Sequence, residues 1–268
     1  MVLASEAASG GGPTCAGLPA TIVGTSGEDR IEGTAGADVI VGLGGDDVIA
    51  ASRGADVICA GAGADVVTAG AGEDRLFGGS GADTLRGMAG NDNLVGGTGA
   101  DLLGGGRGSD TVRYDGLSRG VLVDLARGIA ETGPRSDGGH GRDALVAIES
   151  VYGSGFDDHL VGDAEGNVLT GNAGADVLNG AGGADGLQGG EGPDRIGGGA
   201  GHDALSGHGG RDRISGHDGR DRIRGGSGGD ELGGGRGNDT ISGGPGDDTC
   251  AGGRGDDELS GCHRPTTP

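Results

Sequence analysis

A nine-residue period governs this chain. From Gly24 the sequence divides into ten consecutive nonapeptides, GTSGEDRIE through GGRGSDTVR, ending at Arg113. A second run of twelve, GSGFDDHLV through GGRGDDELS, occupies 153–260. Position 4 is Gly in 20 of 22 units, the exceptions being Phe156 and Glu165. Position 6 is Asp in 21, the exception being Asn167, and position 8 is aliphatic in 21, the exception being Cys250. A fixed short period is the signature of a solenoid, in which each unit buries its apolar side chain only against neighbouring units. The chain therefore divides into an N-terminal segment or cap (1–23), a first block (24–113), a non-repeat β insert (114–152), a second block (153–260) and a C-terminal tail (261–268).

The residue types suit such a fold. Strand side chains alternate between faces, so a short x-U-x strand sends one side chain inward. In block one this set is Ile31, Ile40, Ile49, Ile58, Val67, Leu76, Leu85, Leu94, Leu103 and Val112. Gly at positions 1 and 4 permits the positive-φ backbone that tight turns need. A core one aliphatic layer thick needs no large rings, and the chain has no Trp, two Tyr and two Phe. The 72 glycines oppose long helices, and their spacing excludes collagen. All 19 basic residues are Arg, which removes P-loop and lysine Schiff-base chemistry. A net charge of −22 repels nucleic acid and anionic membranes and favours cations as partners. No stretch is long and apolar enough for a membrane span. Met1–Gly10 shows no signal-peptide pattern, and the tail shows no amphipathic secretion signal.

The unit resembles the G-G-x-G-x-D-x-U-x repeat of the repeats-in-toxin (RTX), hemolysin-type calcium-binding family, and the resemblance covers 198 of 268 residues. It implies an all-β fold, a right-handed parallel β-roll (β-solenoid). In that family the first six residues of each unit are a calcium-binding turn, the last three a short strand, and two units make one coil. Residues 18 apart would then stack. Asp29, Asp47, Asp65, Asp83 and Asp101 form one column, and Asp38, Asp56, Asp74, Asp92 and Asp110 the other. In block two the columns hold Asp176, Asp194, Asp212, Asp230 and Asp248, and Asp185, Asp203, Asp221, Asp239 and Asp257. Carboxylates about 5 Å apart repel by about 0.8 kcal/mol in water and about 3 kcal/mol at an effective dielectric of 20. A divalent cation between coils reverses that sign. Calcium suits six to eight oxygens in flexible geometry better than magnesium or zinc does. Of 41 acidic residues, 21 are the position-6 Asp, and the other 20 nearly cancel the 19 Arg. The negative excess thus belongs to these twenty named ligand candidates and Asp158. Discounting the pairs at Asp158 and Asn167 leaves about 16 calcium sites.

The remaining segments carry further expectations. VLVDLARGIA and DALVAIESVY read as strands, making 114–152 an extra coil or hairpin without metal. Disulfides Cys15–Cys59 and Cys250–Cys262 would staple exposed solenoid ends and fit an oxidising compartment; the alternative is unpaired buried thiols. Two G-x-S-x-G matches, at Ser118 and Ser227, lack an α/β context, so no catalytic site is expected. His202, His208 and His217 read as solvated turn residues. Val39, Val48, Val57 and Val66 form an apolar stripe fit for the N-terminal segment or a partner. Arg211, Arg213, Arg220, Arg222 and Arg224 form a basic stripe that reads as self-neutralised by Asp212, Asp218 and Asp221. Together these observations point to a secreted, extracellular calcium-binding repeat protein, not an enzyme, that folds on binding calcium. The alternatives are a calcium-stabilised adhesion or interaction scaffold with a cell-surface or glycan partner, or the repeat module of a larger secreted hydrolase or toxin.

Overall fold

The computed structural model describes residues 12–131 and 141–263. The first residues of the N-terminal segment, part of the insert and the end of the tail lie outside them. Each aliphatic position-8 residue sits between two outward-facing neighbours, and this alternation makes a strand with one buried face. The strands are longer than the expected three residues. Most run for six, as in Val39–Gly44 and Val48–Arg53, spanning positions 7–9 of one unit and 1–3 of the next. Only the G-x-D segment between strands turns.

Consecutive strands belong to opposite sheets, and each pairs in parallel with the strand 18 residues on, so that Ile40 lies beside Ile58 and Ile49 beside Val67. The fold is an all-β parallel β-solenoid, the β-roll that the repeat implies.

Two compact units are present. The first comprises 1–113 with 128–148, and the second 114–127 with 149–268. In the first, one sheet runs from Arg30–Glu32 to Leu102–Arg107 and continues with Arg142–Val146, against which Ile129–Glu131 lies antiparallel. The other sheet runs from Ile22–Val23 to Thr111–Arg113. In the second unit, Leu122–Asp124 begins one sheet, which ends at Thr249–Arg254, and Ser150–Tyr152 begins the other, which ends at Glu258–Ser260. The insert strands are thus two short pairs rather than two long strands, VLVDLARGIA being broken by a turn at 125–128.

The core is the expected single layer. All ten inward residues of block one are at most 1% exposed. Their counterparts in block two, from Leu160 to Ile241, are at most 3% exposed, whereas the last, Leu259, is exposed. Both disulfides form, with Cα separations of 5.7 Å for Cys15–Cys59 and 5.8 Å for Cys250–Cys262. The first fastens the N-terminal segment over one sheet, where Cys15 and Ala20 cover Val41 and Val57, with Val39 beside them. Val48 and Val66 lie on the opposite sheet and stay exposed. Alternation between sheets therefore splits the valine stripe into a covered half and an open half.

Candidate metal centre

Two glycine positions shape the turns, for different reasons. After the first two turns of each block, the position-4 glycine takes a positive φ, as at Gly72 (+152°), and a Cβ there would strike the Gly54 carbonyl of the preceding coil. Position 1 was expected to need the same freedom and does not. Gly78 has an ordinary φ, but a Cβ would collide with Asp83 Oδ2 and the Gly96 carbonyl, so this glycine provides space. The second positive φ falls instead at position 2, where Leu43, Ser52, Met88, Asn172, Ala181, His208 and His217 adopt it.

These turns assemble the position-6 residues into the expected columns. Asp29, Asp47, Asp65, Asp83 and Asp101 are linked in sequence: each Oδ1 accepts the backbone N–H of the Asp one coil earlier, at 2.8–2.9 Å. Asp38, Asp56, Asp74, Asp92 and Asp110 repeat the pattern. In the second unit one column runs Asp158, Asp176, Asp194, Asp212, Asp230, Asp248. The other runs Asn167, Asp185, Asp203, Asp221, Asp239, Asp257. Each carboxylate is thus anchored by one oxygen, and the N–H groups offset part of the repulsion between neighbours.

The second oxygen is the exceptional atom. Oδ2 of Asp47, Asp56, Asp65, Asp74, Asp83 and Asp92 is buried and accepts no hydrogen bond. The same holds for Asp176, Asp185, Asp194, Asp203, Asp212, Asp221, Asp230, Asp239 and Asp248. A buried charged oxygen without a partner is strongly unfavourable. The ionisation equilibria reflect this. Burial, opposed by the anchoring N–H bond and reinforced by column neighbours, pushes Asp47, Asp56, Asp83, Asp92, Asp176, Asp185 and Asp221 up to about 6, and Asp194 to about 7. Burial likewise raises Asp65, Asp74, Asp203, Asp212 and Asp230. A cation would supply what these oxygens lack. Each turn offers a single column carboxylate, and among the described residues no three or more His, Cys, Asp or Glu side chains converge as a metal cluster. The remaining donors would therefore be backbone carbonyls, which calcium accepts.

The first two turns of each block differ. Thr25 and Thr34 turn their backbone N–H and hydroxyl groups onto Oδ2 of Asp29 and Asp38, at 2.5–3.0 Å. Ser154 donates its backbone N–H to Asp158 Oδ2 and its hydroxyl to Asp158 Oδ1, and the Asp163 N–H binds Asn167 Oδ1. These turns are satisfied by the protein itself. The Asp158 column meets no further carboxylate, because Val121 N–H occupies the place of the preceding Asp N–H.

The chain matches the RTX calcium-binding nonapeptide repeat at 23–58, 54–85, 77–112, 152–187, 183–214, 197–232 and 224–259. It belongs to that family. A search of curated proteins gave no match.

One column member lies outside these RTX matches. Asp143 is 5% exposed, its Oδ1 accepts the Asp101 N–H at 3.0 Å, and Ala144 N–H donates to the Asp101 carbonyl as position 7 does elsewhere. The signal was in the sequence: GGHGRDALV at 138–146 is a complete RTX unit, out of phase with both blocks. Its Gly141–Val146 part lies within the described residues. The histidines do not converge, since His208 and His217 lie on different sheets. Ser118 lies in a bend and Ser227 at a strand end, neither followed by a helix.

Proposed function

We propose that this is a secreted calcium-binding protein whose roll is stabilised by calcium held between successive turns. The observation that carries this reading is the unbroken row of buried, unsatisfied Asp Oδ2 atoms in a chain of net charge −22. The ligands are the column aspartates from Asp47 to Asp110 and from Asp176 to Asp257, with backbone carbonyls completing each shell. Asp29 and Asp38, already bound by Thr25 and Thr34, contribute least. Removing their two pairs and adding Asp101–Asp143 leaves about 15 ions, each held at about 10⁻⁴–10⁻³ M, a range matched to extracellular calcium. Two disulfides support an oxidising compartment. No helix among the described residues is long and apolar enough to cross a membrane. The blocks 24–113 and 153–260 act as the two calcium-binding segments, the insert 114–152 adds Asp143 to the first, and 1–23 and 261–268 are accessory parts.

The test is far-UV circular dichroism during a calcium titration, with magnesium as control and chelator reversal, alongside counting of bound ions by native mass spectrometry. A β signal that saturates with calcium, is unmoved by magnesium and collapses in EDTA is expected. A full β signal and unchanged melting after exhaustive EDTA dialysis would refute the reading.

A further inference from the structure

The arginine stripe of block two reads in the sequence as self-neutralised, and the structure overturns that. Asp212 and Asp221 are fully buried column residues, not surface partners. Asp218 pairs with Arg236 at 3.4 Å, and Arg213 with Glu231 at 3.0 Å, all on one sheet. Arg222 and Arg224 belong to the opposite sheet. Occupying positions 7 and 9 of one strand, they share its outward face about 7 Å apart. Both are exposed, and neither has an ion pair or side-chain hydrogen bond among the described residues. Their ladder neighbours are small and uncharged: Ala204 and Ser206 on one side, Thr240 and Ser242 on the other. The acidic residues of this sheet stand away from them, Glu258 two coils from Arg222 and Glu191 at the end of its strand. A groove of about 380 Å³ crosses this face, where Gln188, Ser206 and His208 line it with both arginines.

Two unpaired guanidiniums side by side make a local positive patch on so acidic a chain. Held in a groove beside an amide and a hydroxyl, they are equipped for an anionic ligand that also carries hydroxyl groups. We propose that this face binds an acidic polysaccharide, Arg222 and Arg224 each taking an acid group while Gln188 and Ser206 bond sugar hydroxyls. Nucleic acid fits less well: its charge density is repelled by the remaining surface, and no Phe, Tyr or Trp side chain lines the groove for base stacking. The site deepens the calcium reading only in that the face exists once the roll is folded.

The experiment is isothermal titration calorimetry on the full chain with excess calcium, its fold verified by circular dichroism. The probes are a short oligouronate, a sulfated oligosaccharide, a neutral oligosaccharide of equal length and a single-stranded oligonucleotide. Binding of the oligouronate or the sulfated probe, with the neutral one inert, supports the site, and the preferred probe identifies the acid group. Arg222→Gln and Arg224→Gln should each weaken binding about tenfold, with β signal and bound calcium unchanged. Arg213→Gln, on the other sheet, should bind as the parent does. Failure of both acidic probes, tighter binding of the oligonucleotide, or equal losses in Arg213→Gln would overturn the proposal. A roll that stays folded without calcium would refute the calcium reading alone, because binding is measured on folded protein.

Discussion

Replacing Asp194 by Asn should change stability in opposite directions with and without calcium. Asp194 is 1% exposed and lies mid-column. Its Oδ1 accepts the Asp176 N–H, and its own N–H bonds Asp212, both at 2.9 Å. Burial and those two charged neighbours hold its pKa near 7. Asn retains the accepting oxygen and removes the charge, and Asn167 already occupies this position, buried, in the companion column. The shift corresponds to about 4 kcal/mol of destabilisation at most, and solvent screening reduces it to about 2 kcal/mol. In chelator, Asp194→Asn should therefore stabilise the roll by about 2 kcal/mol. With calcium the ledger reverses. The sites on both sides of Asp194 lose a ligand, and each contributes about 1.5–3 kcal/mol at about 10 mM calcium. The variant should then be about 1–4 kcal/mol less stable than the parent and bind up to two fewer ions. Urea unfolding followed by circular dichroism, in EDTA and in calcium, measures both signs, and native mass spectrometry counts the ions. Shifts of the same sign in both conditions would refute the reasoning, since a merely structural Asp would give that result.

Without calcium, acid should do part of the metal's work. The raised aspartates favour the folded state fully below their unfolded pKa of 3.8 and lose that contribution as pH rises through about 6 to 7. The β signal in EDTA should accordingly grow as pH falls from 7 towards 4, while apparent calcium affinity weakens, both read by circular dichroism titration. Reduction of the disulfides should remove about 4 kcal/mol for the Cys15–Cys59 loop of 44 residues and about 3 kcal/mol for the Cys250–Cys262 loop of 12, measured by denaturant unfolding of Cys→Ser variants. Gly72→Ala should cost about 3 kcal/mol through backbone strain and collision with the preceding coil, whereas Gly229→Ala, whose Cβ would make only an ordinary 3.4 Å contact with the Asp247 carbonyl, should change thermal stability little. Asp143→Asn should lower the native mass spectrometry ion count by one.

The parts of this molecule legible in the sequence are those fixed by phase. Position 8 must be inside and position 6 must stack, because an 18-residue coil returns every side chain to the same edge. What escaped depended on neighbours in space. Position 1 is small because the Asp Oδ2 of its own unit and a carbonyl of the next coil crowd it, a relation no single repeat displays. Position 2 takes a positive φ even as Leu43 or Met88, residues that give no hint of it. Asp143 belongs to a unit that stands outside the two runs and out of their phase, although its nine residues obey the rule. The arginine stripe differs from its sequence pattern for a related reason: residues adjacent in sequence are not adjacent on a surface, because successive units face opposite ways and Asp212 and Asp221 turn inward.

The same geometry explains why the blocks begin as they do. A column member needs a donor or cation at both oxygens. In the interior Oδ1 has the preceding coil's N–H, and Oδ2 has nothing that the protein can supply. Thr25, Thr34 and Ser154 supply it from within their own turns, at the one end of each block where no earlier RTX coil contributes to a shared ion. Placing Thr at position 2 of an interior unit, as in Gly79→Thr, would not reproduce this. That site holds a positive φ of 111° and crowds the Gly61 carbonyl, so the self-satisfied turn and the stacked turn are alternative backbones. Residue type at position 2 does not decide between them, since Ser52 takes the positive φ and Ser154 does not; place in the block does, dividing starting turns that hold their own carboxylate from interior turns whose Oδ2 is left without a donor.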